Sequence, residues 1–353
     1  MSGMKKFTIE EAVGHVLGHD LTRIVPGEMK GPQFRKGHVI QREDIPMLLS
    51  MGKEHIYVWE KSPDMYHEEE AAEILFGLCA NDSVDRKGPS EGKIELFARH
   101  DGLLRLDTDR INRINALGDL IIVTRHNNSA VKAGEKIAAV KAIPLVIPRA
   151  RLEEARAIAG ENTAAGNIAG SAAPLLGVLP YKLRSACVIT TGSEVAKGLI
   201  EDRFTPVVVK KLAAFGIGVK RHRVTGDGVE EVRRAIEEGR REKPDLILCT
   251  GGMSVDPDDN TPGAIKKSGA EIVTYGAPVV PGAMFLLGYY DDGTPVAGLP
   301  GCVMYQGVTI FDLVLPRIAA GVRLGREDFA GFGIGGLCLG CPECRYPVCP
   351  FGR

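Results

Sequence analysis

The chain has 353 residues, 44% hydrophobic and 25% charged, with a formal net charge of −1; that length predicts two or three domains, and that balance excludes wholesale disorder. Near-neutrality and an aromatic content of 6% give no electrostatic or stacking surface for nucleic acid. No stretch approaches the roughly 18 unbroken apolar residues of a membrane helix, and no long apolar segment follows the first lysines, so a cytoplasmic protein without a secretory leader is expected.

Residues 1–60 read as an α+β segment. A helical start carries His15 and His19 four apart, a basic middle surrounds Lys36 and Gly37, and a strand is expected at His55–Trp59. Residues 61–160 read as a β-rich domain. An acidic stretch leads into a helix over 71–78. Strands follow in IELFA, DLIIVT and KIAAV, with His100-Asp101-Gly102 as a turn, and a helix covers 149–158. Residues 161–183, rich in alanine and glycine with Pro174 and Pro180, read as a linker.

From residue 184 to 325 the pattern becomes regular. A buried strand covers 186–190. A helix over 203–215 aligns Val208, Leu212 and Phe215, with Pro206 in its first turn. A strand at 219–224 leads to a helix over 228–238, where Val229, Val232 and Ile236 align and Gly239 is the expected stop. A strand at 246–249, a helix over 262–268 and strands at 271–275 and 295–297 complete the series. Strands alternating with helices predict an α/β fold with βαβ units and a parallel sheet, ligands binding beyond the strands' carboxyl ends. Polar and glycine-rich residues fall there: Thr191-Gly192-Ser193-Glu194, Thr225-Gly226-Asp227, Thr250-Gly251-Gly252-Met253-Ser254 and Leu299-Pro300-Gly301.

Thr250-Gly251-Gly252 follows directly on a strand. Its glycines permit positive φ and close backbone approach, and successive N–H groups there make an anion-binding nest; a plain tight turn is equally consistent. Asp256, Asp258 and Asp259 come next, followed by Asn260 and Thr261. Three carboxylates beside an anion nest repel the anion, and Mg²⁺ relieves that conflict by taking carboxylates together with phosphate oxygens. The bland alternative is a solvated acidic turn. Asp202, at the start of a helix, either caps it or faces the same crevice.

On these residues, the stretch from about 185 to 325 resembles the molybdopterin-binding domain. That domain is shared by molybdopterin adenylyltransferases, molybdopterin molybdenumtransferases and CinA-like, competence-related nucleotide hydrolases. Thr250-Gly251-Gly252-x-Ser254-Val255-x-x-x-Asp259-x-Thr261 is most similar to the molybdenumtransferase form. Thr191-Gly192-x-Glu194 with Gly198-x-x-x-Asp202, Pro281-Gly282, and Gly298-Leu299-Pro300-Gly301 resemble its other signatures, and 131–147 is similar to the β-rich region before it. The resemblance implies a three-layer α/β domain. It implies a pterin with a dithiolene and a terminal phosphate across the strand ends, in a homodimer of molybdenum cofactor biosynthesis. Asp259 would hold Mg²⁺ or orient molybdate while the adenylated pterin releases AMP, and Asp202 would lie beside the pterin. A molybdoenzyme or another assembly protein is the implied partner.

The chain departs from that form at three places. Val280-Pro281-Gly282-Ala283-Met284 stands where molybdenumtransferases read Lys-Pro-Gly-Lys-Pro, Cys302-Val303 where they read Asn-Pro, and Arg203-Phe204 where they read Ser-Asn. Losing a cationic partner costs an anion about 1–3 kcal/mol per charged hydrogen bond. Two alternatives therefore stand beside the transferase: a CinA-like metal-dependent nucleotide hydrolase and a non-catalytic pterin carrier or sensor. Cys302 reads as a small buried residue or as a soft ligand to molybdenum.

Residues 326–353 form a cysteine-rich tail. Cys338, Cys341, Cys344 and Cys349 crowd its last sixteen positions, and Pro350 follows the last of them. Four thiolates suit Zn²⁺ or an iron–sulfur cluster, and the spacing is that of bacterial ferredoxins with one extra residue before the last cysteine. A sulfur-handling or redox tail, or a disordered reduced one, is the alternative. The GFGIGG run at 331–336 would let the tail swing or fold back. Cys187 and Cys249, in apolar runs, read as core residues.

Overall fold

The computed structural model describes residues 4–25, 29–59, 63–143, 145–161, 174–254 and 259–352. The chain divides into two compact units, 1–100 with 104–127 and 131–178, and 179–353 with 101–103 and 128–130. No helix among the described residues is long and apolar enough to cross a membrane.

In the first unit, the expected helical start is instead the strand Met4–Thr8, antiparallel to His55–Trp59. A turn follows at once, because the Glu11 carboxylate accepts the Thr8 N–H at 3.0 Å. His15 and His19 thus share no helix, and the His15 ring lies against Phe7, 4.5 Å between centroids. The helix Glu68–Cys79 buries Ala71, Ala72, Leu75 and Cys79. Beside it the strands Val84–Ser90, Lys93–Ala98, Lys136–Ala142 and Leu120–Thr124 form an antiparallel sheet in that order. The helix Arg149–Ala159 matches expectation, whereas Thr108–Asn115 is an additional helix. Arg110, buried between them, pairs with Asp107 at 2.9 Å and donates to the Ala159 carbonyl at 2.5 Å. Part of the expected linker, 162–173, lies outside the described residues, and Leu176–Pro180 is a strand.

The second unit is built on six strands: β1 (Ser185–Thr191), β2 (Gly218–Thr225), β3 (Leu246–Thr250), β4 (Glu271–Tyr275), β5 (Leu286–Tyr289) and β6 (Pro295–Leu299). Their spatial order is β2-β1-β3-β6-β5-β4. β1, β2, β3 and β6 are parallel, but β5 runs against both its neighbours, so the sheet is mixed rather than wholly parallel. The cause is local. A tight connection through Tyr290–Gly293, closed by Tyr290 N–H to the Thr294 carbonyl at 3.0 Å, joins β5 to β6, and so short a link permits only antiparallel pairing.

Among the described residues, five helices of six or more residues cover the sheet: α1 (Phe204–Ala213), α2 (Val229–Arg241), α3 (Thr261–Lys267), α4 (Ile310–Ala319) and α5 (Arg326–Gly331). Alternate residues of β1 and β3 point to opposite faces. Ala186, Val188, Leu246 and Leu248 pack with Val208 and Leu212 of α1 and with α4, while Cys187, Ile189, Ile247 and Cys249 pack with Val232 and Ile236 of α2 and Ile265 of α3. The result is three layers. Burial pushes the Cys187 thiol up to about 11 and Cys249 further, as expected of inert core thiols. Gly239 does not stop α2, which runs on to Arg241. Glycine is there because a Cβ would lie 2.6 Å from Cys187 Sγ.

After α5 the tail folds back onto this unit. The Cys338 N–H donates to the Val280 carbonyl at 2.8 Å, the Gly352 N–H to the Gly335 carbonyl at 2.9 Å, and Phe351 is buried.

Candidate functional site

The parallel strands end in hydroxyls. Thr190 and Thr191 close β1 and Thr250 closes β3, all three buried in the sheet. Because neighbours on a strand face opposite ways, Thr190 and Thr191 organise opposite sides of the sheet edge.

On one side, Thr191 Oγ1 donates to the Thr250 carbonyl at 3.2 Å and lies 3.3 Å from Thr261 Oγ1, which donates to the Gly251 carbonyl at 2.9 Å. These contacts lock the glycine turn. Gly251 and Gly252 take φ of +85° and +57°. A Cβ on Gly251 would lie 2.3 Å from the Thr191 carbonyl oxygen, and one on Gly252 would lie 2.7 Å from Thr261 Oγ1. The loops after β1, β2 and β3 are tied together here. Asp227 accepts the Ser193 N–H at 2.8 Å, and Asn260 Nδ2 donates to the Asp227 carbonyl at 3.1 Å. Gly192 joins them by donating to the Thr225 carbonyl at 3.1 Å, whereas Glu194 on the short helix Ser193–Ala196 is exposed.

On the other side, Thr190 Oγ1 accepts from Thr250 Oγ1 at 3.3 Å and lies 3.3 Å from Asp202 Oδ2. Asp202 Oδ1 accepts the N–H groups of Phe204 and Thr205 at 2.9 and 3.0 Å, so it caps the start of α1. Its other oxygen accepts from Thr205 Oγ1 at 2.5 Å and faces His222 Nε2 at 3.4 Å. His222 is a neighbour that sequence reasoning missed. It sits on β2, in an alternating run that reads only as an edge strand, and the pairing of β2 with β1 brings it to Thr190.

Asp259 accepts the Ser254 N–H at 2.5 Å, and Tyr275, at the end of β4, donates to the Ser254 carbonyl at 3.4 Å. Burial, with the Asp259 charge second, raises the Tyr275 hydroxyl above its ordinary value. Asp256 and Asp258 lie outside the described residues. Among the described residues no three His, Cys, Asp or Glu side chains are grouped to hold a metal ion.

Leu299 pairs with Thr250, so Pro300 and Gly301 leave the sheet beside the glycine turn. Cys302 follows, half-buried in a short 3-10 turn. Pro281 and Gly282 lie apart from the hydroxyl network. The Pro281 carbonyl accepts the Ile310 N–H at 3.3 Å, a Cβ on Gly282 would lie 2.6 Å from Ile310 Cγ2, and Val280 is paired to the tail.

Residues 187–320 match a family described as "Probable molybdopterin binding domain", and residues 6–60 match a domain of unknown function. "Protein PF0476" of Pyrococcus furiosus is 37% identical over 87 residues, 24% of this chain and 34% of its own. A Bacillus cereus protein described as competence-damage inducible is 35% identical over 91 residues, 26% of this chain and 22% of its own. The chain thus spans about a third or less of the length of these relatives. Among solved structures, the tungsten cofactor synthesizing protein MoaB of Pyrococcus furiosus overlaps 41% of this chain and 99% of its own, at 20% identity and a TM-score of 0.34. The second unit of this chain carries, over residues 187–320, a domain of the molybdopterin-binding family.

Proposed function

We propose that this chain acts in molybdenum cofactor biosynthesis by binding molybdopterin, or its adenylate, at the carboxyl edge of the second unit's sheet. The observation that carries this reading is the Gly251–Gly252 turn, held in positive φ by Thr191 and Thr261 at the end of β3. A turn of that kind presents backbone N–H groups to a phosphate without a cation. That suits a chain whose Val280–Met284 segment lacks the family's lysines.

The finer reading is insertion of molybdate with release of AMP, by a homodimer that hands its product to a molybdoenzyme or a further assembly protein. Mg²⁺ would neutralise the developing phosphate charge when bound. Asp259, whose loop leaves the glycine turn, would be the residue of this chain to hold it, and Asp202 would fix the opposite wall through Thr190. Similarity to a competence-damage inducible protein favours a second reading, a metal-dependent nucleotide hydrolase.

The test is incubation of the full chain with adenylated molybdopterin, Mg²⁺ and molybdate, following AMP. Release by the wild type, lowered at least tenfold in Asp259→Asn, is expected. Equal release from both defeats the catalytic assignment. Tight pterin binding without turnover makes the protein a carrier, and ADP-ribose hydrolysis indifferent to molybdopterin makes it the hydrolase.

A further inference from the structure

The four tail cysteines line a single cavity of about 90 Å³, which they share with Val308, Tyr346 and Phe351. The segment around them, 339–350, contains neither helix nor strand. Leu339 and Val348 are 70% and 82% exposed, so apolar burial contributes little to holding it. Yet it is anchored at both ends and in the middle. Cys338 is hydrogen-bonded to Val280, the Tyr346 hydroxyl donates to the Asp312 carbonyl at 3.3 Å, and Phe351 enters the core. Glycine at 307 leaves the space that Cys344 occupies, since a Cβ there would lie 2.8 Å from Cys344 Cβ. All four thiols are free, so no disulfide staples the loop. A short loop wrapped around four thiols, without an apolar core of its own, is the form that metal-stapled segments take.

The size of the shared space and the cysteine spacing favour a cluster over a single ion. A structural zinc site draws four sulfurs to about 2.3 Å from one point. All four cysteines line one space, although among the described residues no three His, Cys, Asp or Glu side chains are already grouped to hold a metal ion. That space is several times the roughly 10–15 Å³ a single water needs. A polynuclear cluster, whose corners take four thiolates around a filled volume, suits a space of that size. The order Cys-x-x-Cys-x-x-Cys-x-x-x-x-Cys-Pro also follows ferredoxin ligation, one residue longer before the final cysteine.

We infer that Cys338, Cys341, Cys344 and Cys349 hold a [4Fe–4S] cluster. The four thiols lose their protons on binding and ligate as thiolates. Through Cys338 and its bond to Val280, the cluster is tied to the loop that carries Pro281 and Gly282. The inference is independent of the pterin reading.

The experiment is anoxic reconstitution of the full chain with equal ferrous and ferric iron and with sulfide, which balances the electrons of the oxidised cubane. The expected result is about four iron and four sulfide per chain with a broad visible thiolate–iron absorption. Cys341→Ser and Cys344→Ser, at exposed positions, should retain less than about a quarter of the iron while keeping the wild-type far-ultraviolet spectrum. Cys302→Ser, outside the cavity, should keep the full complement. Uptake of about one zinc per chain with no iron retained overturns the inference, as does iron retention indifferent to Cys341 and Cys344.

Discussion

His222 Nε2 lies 3.4 Å from Asp202 Oδ2, and the hydroxyls of Thr190 and Thr205 each approach the same nitrogen to 3.0 Å. The edge strand β2, the end of β1 and the start of α1 therefore meet in one polar knot. The carboxylate at its centre also closes the first turn of a helix.

That knot sets a pH dependence. Burial alone would raise the Asp202 carboxyl, but the Thr205 hydroxyl, the N–H groups of Thr205 and Phe204, and the nearby His222 outweigh it and hold the group below its usual range. A folded value lower than the unfolded one, about 3.9, means that the stabilisation is complete above roughly pH 4. It is lost as pH falls through the depressed folded value. Asp202→Ala should cost about 1 kcal/mol near neutrality, the scale of a lost helix cap. The gap to wild type should close in acid. Denaturant unfolding at several pH values measures it, and a gap independent of pH would contradict the assignment.

Gly251 is irreplaceable for a backbone reason. At φ +85° an added Cβ is strained, and it meets the Thr191 carbonyl, which belongs to a strand paired on both sides and cannot move aside. Gly251→Ala should therefore destabilise the second unit by at least about 2 kcal/mol. Gly252→Ala, whose Cβ meets side-chain atoms, Thr261 Oγ1 at 2.7 Å and Thr191 Oγ1 at 3.4 Å, rather than backbone, should cost less. Thermal unfolding of the two variants ranks them, and the reverse ranking would refute this geometry.

Gly239 reverses the usual helix rule. Alanine is ordinarily favoured over glycine inside a helix by about 1 kcal/mol. Here its Cβ would press on Cys187 Sγ, and overpacking of that kind costs about 1–3 kcal/mol. Gly239→Ala should destabilise the wild type but become neutral or stabilising in a Cys187→Ala background. A double-mutant cycle reads the coupling, and additive effects would show that the two groups do not touch.

Much of the second unit was legible because its signals are local and periodic. The apolar runs of β1 and β3 read as buried strands, and Val232 and Ile236 mark the buried face of α2. β5 was passed over because four buried residues carry too short a pattern, and its direction follows from the turn through Tyr290–Gly293 rather than from its own residues. The helix Thr108–Asn115 was hidden by a polar sequence whose buried positions include Arg110. The opening segment reads as a helix start only while its partner at His55–Trp59 is ignored. At the site, the glycine turn was readable from Thr250-Gly251-Gly252 alone. The approach of His222 to Asp202 was not, because strand pairing creates it.

The most direct test of the central claim is anoxic equilibrium dialysis of molybdopterin against the full chain and against Thr191→Val, which removes the hydroxyl linking β1 to the glycine turn. Saturable binding of about one pterin per chain is predicted. It should weaken at least tenfold in the variant, about 1.4 kcal/mol, while the far-ultraviolet spectrum stays that of the wild type. Absence of saturable binding by the wild type, or equal affinity in the two proteins, would contradict it.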